Sequence, residues 1–301
     1  MSLLLTVGLV AVVLAVTAAL LAALFAVCVD RERQQRHRRD RRLLRDRLRA
    51  VAPFVAVLAG ILVVNKGLQA YIVDFSYRYG VDPTPLFYAI EGNAVASIQQ
   101  MIPGWATLYF SGMYVFGYAV LLAFPVVAYL FALSTRPLKT LVAAYGINYA
   151  VAVVCYAVVR AYGPRTYHER SESAATVTHG LVELFPDIVY LTSLVNSQTN
   201  VFPSLHTSLS VTVLAVALTT HGEFPRWTPI ALVLATSIVL ATVALGIHWL
   251  IDVAAGVALA AGSVFVARAI VGDRDGSDPT RLAEERESRA DDSSSDRPRS
   301  S

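Results

Sequence analysis

Between Leu3 and Val29 the chain carries no charged residue, and the same holds for residues 105–133 and 227–247. An apolar run of about 18 residues or more is long enough to cross the hydrocarbon core of a bilayer as a helix. Inside that core each backbone N–H and C=O needs an internal partner, which a helix supplies within one segment. The spacing predicts seven spans, over 3–29, 51–73, 105–133, 138–161, 204–220, 227–246 and 249–271. The expected fold class is therefore all-α, a polytopic transmembrane helix bundle. Composition agrees. Of 301 residues 55% are hydrophobic and 16% charged, against roughly 25% charged in an ordinary soluble domain. The mean hydropathy is +0.54.

The net charge of +3 matters less than its placement. Much of it lies in DRERQQRHRRDRRLLRDRLR, residues 30–49. Alone, such a block suits solvent or nucleic acid. Between two apolar spans it reads as a cytoplasmic flank facing anionic lipid, so a membrane and no nucleic acid is the expected partner. The first span is too long for a signal peptide, and its positive charge follows it, so it reads as an uncleaved span with its N-terminus outside. Alternation then places 74–104 and 162–203 outside, and Ser134–Lys139, HGEFPRW and the tail inside. Residues 1–50 form an N-terminal span with its basic flank, 51–271 a transmembrane catalytic domain, and 272–301 a polar, Ser-rich, disordered tail. Cys28 and Cys155 sit in apolar runs without ligand spacing. They read as small buried hydrophobes, and no metal or cofactor is expected. Loop 74–104 is rich in aromatics, Phe75, Tyr77, Tyr79, Phe87 and Tyr88. It reads first as an interfacial belt and second as a partial lid.

Two stretches place ionisable groups at span ends, NVFPSLHTSLS (200–210) and LGIHWLIDVAAG (245–256). Pro203 suits a first helical turn. Ser204 and the free N–H groups behind it then form an anion-binding helix start, with His206 in the same turn. One crossing inward and one back return the chain to His248, on the same side as His206. Asp252, four residues on, falls on the same helical face as His248. It can orient the imidazole and raise the basicity of its other nitrogen. A histidine so held can attack phosphorus, while His206 protonates the leaving oxygen. A cation is needed beside them, and Arg165 in YGPR, with Arg160 second, lies on the correct side. Arg136 in STRPLK falls on the far face. His37, His179 and His221 read as ordinary interfacial histidines, and His168 as a weak candidate. A metal site from the same residues is disfavoured by the arginine. The small-residue run AAGVALAAG after Asp252 reads as helix packing.

PSLH (203–206) and HWLID (248–252) resemble two of the three signature elements of the type 2 phosphatidic acid phosphatase superfamily. The resemblance covers roughly 105–271. It implies a six-helix core, a lipid phosphatase or phosphotransferase activity, His248 as nucleophile oriented by Asp252, His206 as general acid, and no metal. A phospholipid or an isoprenoid or other lipid phosphate is the implied substrate. Leu205 stands where the family has glycine, Thr242 where the third element has arginine, and only YGPR occupies the place of the first. Phe-Pro-Ser-Leu-His with an arginine-free third element is similar to the inositol phosphorylceramide synthase branch, which transfers a phospho-headgroup between lipids. The competing reading is a lipid-binding or transport protein retaining such a site.

Overall fold

The computed structural model describes residues 3–39, 41–170 and 199–275. The tail from 276 and His179 lie outside the described residues. Helices α1 (Leu3–Cys28), α2 (Arg31–Arg39) and α3 (Arg41–Tyr79) open the chain. Two short helices follow, α4 (Thr84–Glu91) and α5 (Ala94–Met101). The next span is composite: α6 (Gly104–Gly112), a π-helical turn (Met113–Gly117), α7 (Tyr118–Ala128) and a 3₁₀ turn (Tyr129–Phe131). Then come α8 (Arg136–Val158), α9 (Pro164–Arg170), α10 (Leu205–Thr219), α11 (Trp227–Ala244) and α12 (Leu250–Asp275). The described residues form no strand, and only isolated bridges join Val81 to Val159 and Ala161 to Asn200.

Six segments are long and apolar enough to cross a membrane, namely Val10–Cys28, Arg42–Tyr79, Gly104–Phe131, Arg136–Val158, Trp227–Ala244 and Leu250–Gly272. The protein is a multi-pass helical membrane protein, as the apolar runs predict. The seventh predicted span is α10, only 15 residues long. It is nevertheless central, packing against α8, α11 and α12.

Lipid tails are as apolar as leucine, so helices in a bilayer associate through close packing of small side chains. The interior follows that rule. Ala144, Ala152, Ala217, Ala231, Ala241, Ala260 and Ala267 are all fully buried. Larger groups such as Phe124, Leu141, Leu209 and Trp227 fill the space between them. By contrast α1 exposes Val10, Val12, Leu14 and Leu20 and joins the core only near its C-terminal end, where Phe25 meets Phe131 edge-on at 5.0 Å. Cys28 is buried, whereas Cys155 is partly exposed on the outer side of α8, so only the first is a core residue.

In the third span α7 continues through Pro125. The irregular turn lies at Met113–Gly117, a stretch without proline. Such π-helical turns often coincide with functional positions, and here Tyr114 and Tyr118 flank the histidine of α10.

Candidate functional site

Ser204 is the N-cap of α10, and its Oγ accepts from the Thr207 N–H at 3.3 Å. This side-chain acceptor is the usual device for starting a helix. Pro203 therefore precedes the cap instead of occupying the first turn, which begins at Leu205. His206 does lie in that turn. Its ring stacks on Tyr114, centroids 4.5 Å apart, and meets Tyr118 at 4.4 Å.

His248 stands just before α12, not on it. Gly246 adopts φ +67°, a left-handed conformation that ends α11 and reverses the chain. The Thr242 carbonyl then collects the N–H groups of Ile247 and His248 at 3.0 and 3.1 Å. His248 and Asp252 are thus joined by cap geometry, not by the helical i,i+4 spacing expected from the sequence. Asp252 is the third residue of α12, and its Oδ2 accepts from the Trp249 N–H at 2.8 Å. An acid at this position reaching back to the cap residue is half of a capping box. The same Oδ2 lies 3.5 Å from His248 Nδ1. That is a close approach without a hydrogen bond, since neither Nδ1 nor Asp252 Oδ1 makes one among the described residues. Catalytic contacts of this kind are often long before substrate binds. Both side chains are almost wholly enclosed.

The two motif halves meet. The His206 and His248 ring centroids are 6.4 Å apart, and the Ser204 N–H donates to the Asp252 carbonyl at 3.2 Å. Two crossings return the chain to one end of the bundle, as the alternation requires. Arg165 is drawn to the same end: its backbone N–H donates to the Gly246 carbonyl at 3.2 Å. Among the described residues its side chain has no ion pair. Arg160 is placed differently. Its guanidinium donates to the Tyr77 carbonyl at 3.2 Å, covers the Tyr77 ring and faces Asp82. Arg136 lies beside Thr219 and Thr220 at the far end of α10, where the alternation puts it. His168 is a packing residue: Nδ1 lies 2.7 Å from the Pro164 carbonyl, Nε2 lies 3.4 Å from Asn93 Oδ1, and the ring sits against Trp249.

Sequence reasoning missed Glu91. Its carboxylate, at the end of α4, accepts from the N–H groups of Leu250 and Ile251 at 2.9 and 2.7 Å. Glu91 and Asp252 together hold the first N–H groups of α12 and fix the turn that carries His248. A carboxylate there also opposes the positive end of the helix dipole. Glu91→Ala is expected to destabilise the protein by about 1–2 kcal/mol. Glu91→Gln, which keeps one acceptor, should lose less; thermal unfolding in detergent reads the difference. Nothing near Glu91 in the sequence signals this partner more than 150 residues away. Tyr114 and Tyr118 were also missed, although two tyrosines four apart in an apolar span were a visible cue.

The aromatic loop divides between its two readings. Phe75, Tyr77 and Tyr79 are exposed, as a belt requires. Phe87 packs on Phe202 at 5.5 Å, and Tyr88 touches Tyr167 and Trp249, so that part covers the site region.

An all-α membrane bundle with two histidines, an aspartate and a helix-capping serine at one end defines the class of protein. A family-level comparison matches residues 90–266 to the PAP2 superfamily, and the chain belongs to that family. No curated protein and no solved structure matches the chain.

Proposed function

We propose that the protein is an integral membrane phosphatase or phosphotransferase acting on a lipid phosphate, with a phosphohistidine on His248. The observation that carries this reading is the convergence of His206, His248 and Asp252 at one end of the bundle. Asp252 faces Nδ1, which leaves Nε2 of His248 free to attack. In the first step Nε2 forms a bond to phosphorus, the bond from phosphorus to the leaving oxygen breaks, and His206 gives that oxygen a proton. In the second, water or an alcohol attacks phosphorus and gives its proton to His206, and the P–N bond breaks. Ser204, the first N–H groups of α10 and Arg165 stabilise the phosphoryl oxygens. Arg160, tied to Tyr77 and Asp82, must release those contacts to join them. No metal takes part. The arginine-rich segment 30–49 supports an extracytoplasmic site and a cytoplasmic tail.

One observation favours transfer to an alcohol, as in an inositol phosphorylceramide synthase-like enzyme. Thr242, where the family has arginine, is buried and donates its hydroxyl to the Val239 carbonyl at 2.7 Å. It supplies neither charge nor donor to phosphate. A site short of one cation suits a phosphodiester, with its single negative charge, better than a phosphomonoester.

The test is turnover in lipid vesicles with chelator present, using labelled phospholipids and lipid phosphates, with and without inositol- and glycerol-type acceptors. Release of phosphate identifies a phosphatase, and a new headgroup-bearing lipid identifies a transferase. Silence from a folded protein on all substrates points instead to a lipid-binding protein.

A further inference from the structure

The opposite end of the bundle holds a second polar recess, of about 340 Å³. It lies where the first turn of α8, the last turn of α10 and the C-terminal part of α12 meet. Its polar lining is Arg136, Arg268, Ser134, Thr140, Thr219 and Thr220, with no carboxylate among them. Both arginines line the recess, and Nη2 of Arg136 reaches α12 beside Gly272, one turn beyond Arg268. Among the described residues neither arginine makes an ion pair or a hydrogen bond. Both residues are exposed, so their mutual repulsion is screened, and an anion seated between them could form charge-assisted bonds to each.

Two further observations point the same way. Thr135 caps α8 without a side-chain hydrogen bond, so the positive helix end is left open toward an anion. Thr140 is only 6% exposed, yet it lines the recess and its hydroxyl has no partner among the described residues. The hydroxyl opens into the recess and is available to bond an anion there.

This end also gathers the basic segment. Arg47 donates to the carbonyls of Leu130 and Leu133, and Arg33 pairs with Glu223. An arginine-rich membrane edge attracts anionic lipid. His206 and Thr219 sit at opposite ends of α10, about 20 Å apart along its axis, so the recess is separate from the histidine site.

We propose that this recess binds a phosphate-bearing anion, either the headgroup of an anionic phospholipid or free phosphate. The test is thermal unfolding of the full chain in phosphatidylcholine-containing micelles, titrated with phosphatidylglycerol or with inorganic phosphate. The histidine site can bind the same probes, so the readout is the difference between wild type and Arg136→Gln/Arg268→Gln. Loss of two charge-assisted contacts should weaken the apparent affinity about tenfold or more. Thr140→Val, which keeps shape and both charges, should weaken it by about threefold and carries the test if the double variant does not fold. A response to phosphatidylglycerol alone assigns a lipid headgroup; a response to inorganic phosphate as well assigns the free anion. Identical titrations of wild type and variants with both probes overturn the proposal.

Discussion

His248→Ala should abolish turnover, lowering kcat by about 10⁴-fold or more, the scale on which removing a covalent nucleophile acts. The loss should fall on kcat more than on KM, because the imidazole is assigned to bond-making and the oxyanion contacts belong to Ser204, α10 and Arg165. The fold should survive. Nδ1 of His248 makes no hydrogen bond, and the turn around it is held by the Thr242 carbonyl, Asp252 Oδ2 and Glu91. Brief reaction of the wild type with ³²P-labelled substrate should trap label that is stable to alkali and lost in acid, as a phosphohistidine is. The variant should trap none. A folded His248→Ala protein with full activity would falsify the assignment.

Gly256→Ala should also be strongly damaging, although residue 256 is not assigned to touch substrate. A Cβ there would stand 2.7 Å from the Ser204 carbonyl oxygen and 2.9 Å from Thr207 Cβ. The first obstacle is backbone, so a side-chain rotation cannot relieve it. The start of α10 must move away from α12 by several tenths of an ångström, carrying Ser204 and His206 away from His248. Misplacement of reacting groups by about 1 Å can lower rates about 10²-fold, and overpacking itself destabilises by about 1–3 kcal/mol. Gly262→Ala is the matched control. A Cβ at Gly262 meets nothing within 4 Å, and alanine favours a helix interior over glycine by about 0.5–1 kcal/mol. Turnover and melting temperature of the two variants should therefore diverge in direction. Equal activity of both would mean that the α10–α12 contact does not position the histidines.

The contrast between these glycines shows what a sequence can carry. AAGVALAAG reads as packing throughout, but only Gly256 lies at a close crossing, because the partner helix is absent from any local pattern. Span positions were legible because they depend on run length alone. The meeting of His206 with His248 was legible from counting crossings, and the far placement of Arg136 followed from the same count. The local form of the His248–Asp252 pair was not. Spacing of four suggests one helical face, yet Gly246 breaks the chain first and Asp252 is used as a cap. Thr242 at the end of α11 was visible as a departure from the family pattern, but its bond to Val239 was not. Glu91, Tyr114 and Tyr118 reach the site from other segments, and no residue near His206 or His248 announces them.

The short length of α10 bears on how a substrate arrives. Fifteen residues rise about 22 Å, whereas the hydrocarbon layer is about 30 Å thick. If Thr219 lay near one edge of that layer, His206 would come to rest several ångströms inside the other, or the bilayer would thin to meet it. On the proposed function, a lipid phosphate would reach the histidines by sliding sideways along its own leaflet, its tails still among their neighbours. The acyl chains need not be drawn into water, a step that opposes extraction by about 0.8 kcal/mol for every methylene exposed. Only the second reactant of the proposed reaction, water or a small polar alcohol, would have to descend from the aqueous side.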